Sequence, residues 1–160
     1  MTGRRVAIVG CGLIGAKRAA ALGGGDELLG GFDIDRDAAV ALCERHGGTA
    51  CATLEQLLAL APEVVIVATV HDRLAELAEQ ALQAGAHVLV EKPAGVSTAQ
   101  VEHLIECQRA SGRLVKVGFN HRFHPGISRA ATEVHSGAHG EQHRSFTEWL
   151  TPVAAVAMSV

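Results

Sequence analysis

Short runs of apolar and β-branched residues alternate along the chain with longer stretches whose apolar positions recur at helical spacing. The apolar runs predict six strands, at Arg4–Val9, Glu27–Asp33, Thr49–Ala52, Glu63–Thr69, His87–Glu91 and Leu114–Asn120. The helical patterns between them cover Leu13–Leu22, Arg36–His46, Leu54–Ala61, Arg73–Ala84 and Ser97–Ala110. Because parallel strands need such crossover helices, this order predicts an α/β fold: a doubly wound parallel sheet with helices on both faces.

Local signals support these elements. Val64–Val67 is apolar at every position, which is typical of a strand buried on both faces of a sheet. Three predicted helices begin with side chains that can cap them, namely Asp35, Thr53 with Gln56, and Ser97 with Gln100. The pattern weakens after Asn120, where we expect one further helix and a loop within residues 121–140.

The composition of the chain limits the classes of protein to which it can belong. The chain has 160 residues, of which 48% are hydrophobic and 19% charged, so it can form a packed core. Its net charge of −3 gives no sign of a nucleic-acid surface, and no apolar stretch is long enough to span a membrane. The four cysteines have no C-x-x-C spacing, so we expect reduced thiols in a cytoplasmic protein and no zinc clip.

Three histidines near the chain end, His135, His139 and His143, recur every four residues. On a helix they would share one face, as metal ligands sometimes do. Gly137 and Gly140 disfavour a helix there, so solvated histidines are the preferred interpretation and no metal is expected.

The first turn has the pattern G-x-G-x-x-G over Gly10–Gly15, directly after a predicted strand and at the start of a helix. Gly10 permits the tight turn, Gly12 lets the backbone approach a pyrophosphate, and Gly15 lets the helix pack against the strand. The free N–H groups at the helix start, around Leu13 and Ile14, would face the phosphates. In this context the pattern predicts a dinucleotide site in a Rossmann fold. The alternative is a glycine-rich turn without a ligand.

An acidic residue ends the second predicted strand. Asp33 can accept hydrogen bonds from the hydroxyls of the adenosine ribose. A carboxylate there would repel the 2′-phosphate of NADP, so NAD is the expected cofactor. The nearby Arg36 keeps NADP as the alternative.

Three stretches resemble a known family. Ala81–Pro93, which reads ALQAGAHVLVEKP, resembles the E-K-P signature of the glucose–fructose oxidoreductase/inositol dehydrogenase family. Val6–Gly15 is similar to the opening strand and phosphate turn of that family. Val117–Pro125, which reads VGFNHRFHP, is similar to the segment after the sixth strand. The resemblance implies an NAD(P)-dependent oxidoreductase that acts on CH–OH groups of a sugar or cyclitol.

The E-K-P segment supplies the candidate catalytic residue, Lys92. Ligands in open α/β sheets bind beyond the carboxyl ends of the strands, and Lys92 follows such an end. A cation there can stabilise the alkoxide that develops as hydride leaves an alcohol. The resemblance implies the same role, with Glu91, Lys92 and Pro93 beside the cofactor. A cis bond before Pro93 would be one way to aim Lys92. The alternative is a solvated lysine beside a turn proline.

The remaining candidates border the expected cleft. Thr69 and His71 follow the fourth strand and are expected to line the cofactor site. Asn120 is expected at the nicotinamide end, and the resemblance implies that Arg122 and His124 face the substrate.

This sequence departs from the family pattern in two respects. Val70 and Arg73 stand where the family usually has a proline and a histidine, which puts the shape of that loop in doubt. Family members also carry a second, α+β substrate domain with an Asp-x-x-x-His pair and the oligomer contacts. We therefore expect residues 1–122 to form the dinucleotide-binding domain. Residues 123–160 are expected to be the start of a truncated or frameshifted second domain, or an irregular tail.

A small-molecule sugar or polyol is the partner that the resemblance implies, together with self-association as a homo-oligomer. The other function that the residues allow is a non-catalytic dinucleotide-binding module or inactive remnant, which would keep the glycine turn and Asp33 without turnover.

Overall fold

The computed structural model describes residues 3–137, apart from the side chain of Arg122. The chain divides into two compact units, Met1–Gly118 and Phe119–Val160. The expectations for the tail beyond residue 137, including those for His139 and His143, lie outside the described residues. No helix within the described part of the chain is long and apolar enough to cross a membrane.

Six parallel strands form one sheet in the first unit. They are β1 (Arg5–Val9), β2 (Glu27–Phe32), β3 (Thr49–Cys51), β4 (Val64–Val67), β5 (His87–Val90) and β6 (Val115–Val117). Their order in the sheet is β3-β2-β1-β4-β5-β6, and every neighbouring pair is parallel. This is the order of a Rossmann fold, with its topological switch point between β1 and β4. The predicted fold class is confirmed.

Five helices connect the strands. They are α1 (Leu13–Ala20), α2 (Arg36–His46), α3 (Leu54–Ala59), α4 (Leu74–Gln83) and α5 (Thr98–Ser111). The predicted caps are present: the side chains of Asp35, Thr53 and Ser97 each accept a hydrogen bond from a backbone N–H in the first turn of their helices. These caps fix where each helix begins, because the first N–H groups of a helix have no partner within it.

The sheet has a hydrophobic core on each face, because successive side chains of a strand point in opposite directions. Ala7 and Val9 of β1 pack with the buried leucines of α3 and α4 in the larger core. Val6 and Ile8 pack with residues of α1 and α2 in the other. The helices on both faces thus bury the central strands completely and leave only the strand ends open to a ligand.

Two predicted strands extend two or three residues too far at their carboxyl ends, whereas three others extend one residue too far. The predicted strand Leu114–Asn120 ends at Val117, and the predicted strand Glu63–Thr69 ends at Val67. In both cases the apolar or β-branched run continues in sequence beyond the last paired residue. Pairing stops because the chain turns at these points into the segments that lead to the following 3₁₀ turns.

The second unit contains a short 3₁₀ turn over Asn120–Phe123 and a helix, α6 (Pro125–His135). The His124 side chain caps α6 by accepting a hydrogen bond from the N–H of Gly126, at 3.2 Å. Gly137 follows the helix with a φ of 72°, a conformation that glycine adopts at little cost. His135 is thus the last residue of a helix, although the glycines nearby disfavour one in the sequence.

Candidate functional site

The predicted site residues of the first unit gather at the carboxyl edge of the sheet. Gly10, Asp33 and Glu91 directly follow β1, β2 and β5, and Thr69 lies two residues after β4. Backbone hydrogen bonds continue the sheet ladders across this edge: Gly10 N–H to Phe32 O, Ala68 N–H to Val9 O, and Glu91 N–H to Val67 O, at 2.9, 2.7 and 2.9 Å. The residues that begin the loops are therefore held nearly as rigidly as the strands themselves.

Each glycine of the first turn occupies the place expected of it. Gly10 has a φ of 92°, and a Cβ there would lie 2.5 Å from the carbonyl oxygen of Ala68. A Cβ at Gly15 would overlap the carbonyl oxygen of Gly10. A Cβ at Gly12 would meet nothing within 4 Å, because the space beside it is open. Gly10 and Gly15 are thus required by the protein's own packing, whereas Gly12 leaves an open space that a ligand could occupy.

The start of α1 is suited to an anion. Gly12 is its N-cap residue and has no side chain with which to cap the helix, and the first turn carries no acidic residue. Leu13 and Ile14 are exposed, with 73% and 42% of their surface accessible. The first N–H groups of a helix lack intrahelical partners and carry the positive end of its dipole. This end of α1 can therefore receive a phosphate group through its backbone.

Asp33 is fixed by two backbone hydrogen bonds. Its Oδ2 accepts from the N–H of Cys11 at 2.6 Å, and its Oδ1 accepts from the N–H of Asp35 at 2.9 Å. The first bond ties the end of β2 to the glycine turn. Each carboxylate oxygen can accept more than one hydrogen bond, so the pair can still receive two hydroxyl groups.

A cavity of about 300 Å³ opens beside Asp33. It lies past the ends of β2 and β3, and its lining consists of Phe32, Asp33, Ile34, Arg36, Cys51 and Ala52. Ile34 is almost fully exposed at its mouth. An apolar wall with one carboxylate and one guanidinium suits a flat heterocycle that carries a sugar.

Cys11 lies within the glycine turn, but its chemistry is that of a core residue. Burial first, and then the negative charge of Asp33, raise the pKa of the Cys11 thiol to about 12. The thiol therefore stays protonated at neutral pH and is a poor nucleophile. Its contribution to the site is its backbone N–H, which holds Asp33.

The E-K-P segment is anchored by a contact that the sequence analysis missed. The guanidinium of Arg18, on α1, forms an ion pair and a hydrogen bond with the carboxylate of Glu91. Both side chains are largely buried, with 24% and 12% of their surface accessible. Gly118 packs against the same carboxylate, since a Cβ there would lie 2.8 Å from Oε2 of Glu91. This geometry makes Glu91 an anchor for the segment, and its predicted contact with a cofactor stays a prediction.

The anchored segment presents Lys92 outward. Lys92 is exposed, and the peptide bond between Lys92 and Pro93 is cis.

No regular pattern in the sequence marks Arg18 as the partner of Glu91. The nearest signal is its spacing, since it lies three residues after Gly15 on the same side of α1.

The other candidates are distributed over both units. Thr69 packs against Gly10, where a Cβ would come within 2.9 Å of its methyl group. His71 is exposed and begins a 3₁₀ turn, His71–Arg73, in the loop that departs from the family pattern. Asn120, Arg122 and His124 belong to the second unit, and their predicted contacts stay predictions. The structure thus brings together the glycine turn, Asp33, Thr69, Glu91 and Lys92.

Comparison with known proteins identifies the family to which the chain belongs. Residues 4–119 match the family model described as an oxidoreductase family with an NAD-binding Rossmann fold. This match covers more than half of the chain. The chain therefore belongs to the glucose–fructose oxidoreductase/inositol dehydrogenase family, and the resemblance seen in its sequence is confirmed.

Individual relatives are dehydrogenases. The chain is 32% identical to D-glucoside 3-dehydrogenase of Escherichia coli over 86% of its own length and 40% of that protein. It is 28% identical to inositol 2-dehydrogenase of Salmonella typhimurium over 94% of its length and 49% of that protein. It also resembles the crystal structure of GenD2 from gentamicin A biosynthesis in complex with NAD. That match has a TM-score of 0.83 and 29% identity, and it covers 86% of this chain and 40% of GenD2. The chain thus spans less than half the length of these relatives.

The glycines give a testable contrast in stability. We expect Gly15→Ala to lower the free energy of unfolding by about 2 to 3 kcal/mol, since the new methyl group meets a backbone carbonyl that cannot move aside. Gly12→Ala should change it by no more than about 1 kcal/mol, the order of a helix-cap effect, because its methyl group enters open space. Urea denaturation of both variants measures the difference. Equal losses would show that α1 does not pack against the turn as described.

Proposed function

We propose that this chain binds NAD at the carboxyl edge of its sheet. It would be the cofactor-binding domain of an oxidoreductase that acts on CH–OH groups of a sugar or cyclitol. The observation that carries the proposal is the open space beside Gly12 at an uncapped helix start, with the fixed carboxylate of Asp33 next to it. The pyrophosphate would lie against the backbone N–H groups of Leu13 and Ile14. The adenosine would then extend into the cavity lined by Phe32 and Ala52.

The position of the Asp33 carboxylate favours NAD over NADP as the cofactor. Its two oxygens are oriented by backbone N–H groups and can accept both hydroxyls of a ribose. A 2′-phosphate would place negative charge against this carboxylate. Arg36 lines the same cavity and would offset part of that repulsion, so NADP is the weaker ligand rather than an excluded one.

Lys92 is the proposed catalytic residue. Bound NAD supplies a hydride acceptor at C4 of its nicotinamide ring. The Lys92 ammonium would donate a hydrogen bond to the alcohol oxygen and stabilise the negative charge that develops on it as the hydroxyl proton passes to solvent water. The carbon would then give up its hydride, and a ketone would remain. The Arg18–Glu91 ion pair holds the backbone from which Lys92 projects.

Further residues beyond the carboxyl ends of β4 and β5 complete the proposed site. Thr69, His71 and Pro93 would border the nicotinamide half of the cofactor. The roles of Asn120 beside the nicotinamide, and of Arg122 and His124 beside the substrate, are those that the family resemblance implies.

The names of the relatives support the substrate class. One relative is named as a dehydrogenase of a D-glucoside and the other as a dehydrogenase of inositol. We infer a sugar or polyol of this kind as substrate, and a homo-oligomer as the working form. We also place the chain in the cytoplasm, where its four unpaired cysteines would stay reduced.

The first test is a titration of the purified chain with NADH and NADPH, followed by nicotinamide fluorescence. We expect saturable binding that is tighter for NADH. Asp33→Ala should weaken NADH about tenfold or more, because it removes hydrogen bonds to a charged group worth about 1.5 to 3 kcal/mol. It should weaken NADPH less, so the preference shrinks. Gly12→Ala should weaken both, because its methyl group fills the space proposed for the pyrophosphate.

Asp37→Ala is the matched control, since it removes an exposed carboxylate from the first turn of α2 without touching the cavity. Its affinity for NADH should stay within about twofold of that of the unsubstituted chain. If Asp33→Ala and Asp37→Ala bind both nucleotides equally well, the proposed ribose contact is wrong. If the folded chain binds neither nucleotide, the proposed cofactor site is wrong.

The catalytic proposal is tested by turnover. We expect the chain with NAD to produce NADH from at least one member of a panel of sugars and cyclitols. Lys92→Met should lower kcat about 100-fold, the size of effect seen when one charge-stabilising donor is removed, and should change NADH affinity far less. Lys116→Met is the control, since it changes an exposed side chain on β6, and it should retain activity. Tight NADH binding without turnover of any panel member would instead support a non-catalytic dinucleotide-binding module.

A further inference from the structure

A cluster of three metal-ligating side chains lies on the outer surface of α4 and α5 and includes none of the residues proposed to bind the cofactor. His103 and Cys107 stand one helical turn apart on α5, and Glu79 reaches them from α4. Nε2 of His103 lies 3.2 Å from Oε2 of Glu79 and 3.6 Å from Sγ of Cys107. All three ligand atoms lie within 4.8 Å of one another.

Two of these separations, those that involve Nε2 of His103, can be compared with the edges of a metal-centred tetrahedron. Zinc binds sulfur at about 2.3 Å and nitrogen or oxygen at about 2.0 to 2.2 Å, so tetrahedral angles put neighbouring ligand atoms about 3.3 to 3.7 Å apart. The two measured contacts of His103 are close to this range. A thiol, an imidazole and a carboxylate are also the three side-chain types that zinc prefers.

The packing around the cluster restricts its geometry. Leu77 and Ala78 of α4 and Leu104 of α5 are buried in the larger core, which fixes the two helices against each other beneath the cluster. The side-chain amide of Gln83 donates a hydrogen bond to Oε1 of Glu79 at 3.0 Å and leaves Oε2 directed at His103. A second interaction that orients a ligand in this way is typical of metal sites.

We propose that Glu79, His103 and Cys107 form a binding site for a divalent transition-metal ion such as Zn²⁺, which bridges α4 and α5. The three protein ligands leave the fourth tetrahedral position to water. The site is independent of the proposed dinucleotide site, since no residue is shared. The sequence shows only part of it, the four-residue spacing of His103 and Cys107, because the third ligand lies on a different helix.

Cobalt is the probe that tests this proposal, because Co²⁺ in such a site reports its own ligands. The reduced, metal-free chain is titrated with Co²⁺, and then Zn²⁺ is added to displace it. We expect one equivalent to give tetrahedral absorption bands together with a sulfur-to-cobalt charge-transfer band. Cys107→Ser should abolish the charge-transfer band. Glu79→Gln and His103→Gln should each weaken Co²⁺ binding at least tenfold.

His135→Gln is the matched control, since it removes another exposed histidine, at the end of α6. It should leave the bands and the affinity unchanged within about twofold. Zn²⁺ should also raise the melting temperature of the unsubstituted chain but not that of Cys107→Ser, because only a folded site gains from binding. The proposal is wrong if no charge-transfer band saturates at one equivalent. It is equally wrong if the band persists in Cys107→Ser, or if neither Glu79→Gln nor His103→Gln weakens binding.

Discussion

The close contact between α1 and the turn that precedes it governs the rest of the site. Gly15 lies so near the carbonyl of Gly10 that no side chain fits between them, and Gly10 itself turns with a positive φ against Ala68. These constraints leave the N–H groups at the start of α1 directed past the edge of the sheet, with open space beside Gly12. Asp33 joins the same turn through the N–H of Cys11, so β1, β2 and α1 present one rigid surface.

The same helix also connects the two halves of the proposed reaction site. Its start faces the expected position of the pyrophosphate, and one turn further along, Arg18 holds Glu91 at the end of β5. β1 and β4 lie between these points, at the switch point of the strand order. Lys92 therefore projects from a backbone that is tied to the phosphate turn through a largely buried ion pair. The affinity for the cofactor and the placement of Lys92 therefore both depend on helix α1.

The features that local chemistry determines could be predicted from the sequence. The order of strands and helices, the caps at Asp35, Thr53 and Ser97, and the glycine turn all follow from spacing within a few residues. The ends of β4 and β6 were predicted too far along the chain, because Thr69 and Phe119, which are residue types common in strands, follow the last paired positions. The Arg18–Glu91 pair and the cluster around His103 could not be predicted. Their partners are distant in sequence, and only the packed helices bring them together.

The central claim is that a dinucleotide binds along the edge that begins at Gly12 and ends at Lys92. The most direct measurement is a nuclear magnetic resonance titration of the ¹⁵N-labelled chain with NADH, which follows every backbone amide separately. We expect large, saturable shifts for Leu13, Ile14 and Asp33, smaller shifts near Lys92, and none for Glu79 on the outer surface of α4. Saturable binding that leaves Leu13 and Ile14 unshifted would contradict it, because the phosphates would then lie elsewhere.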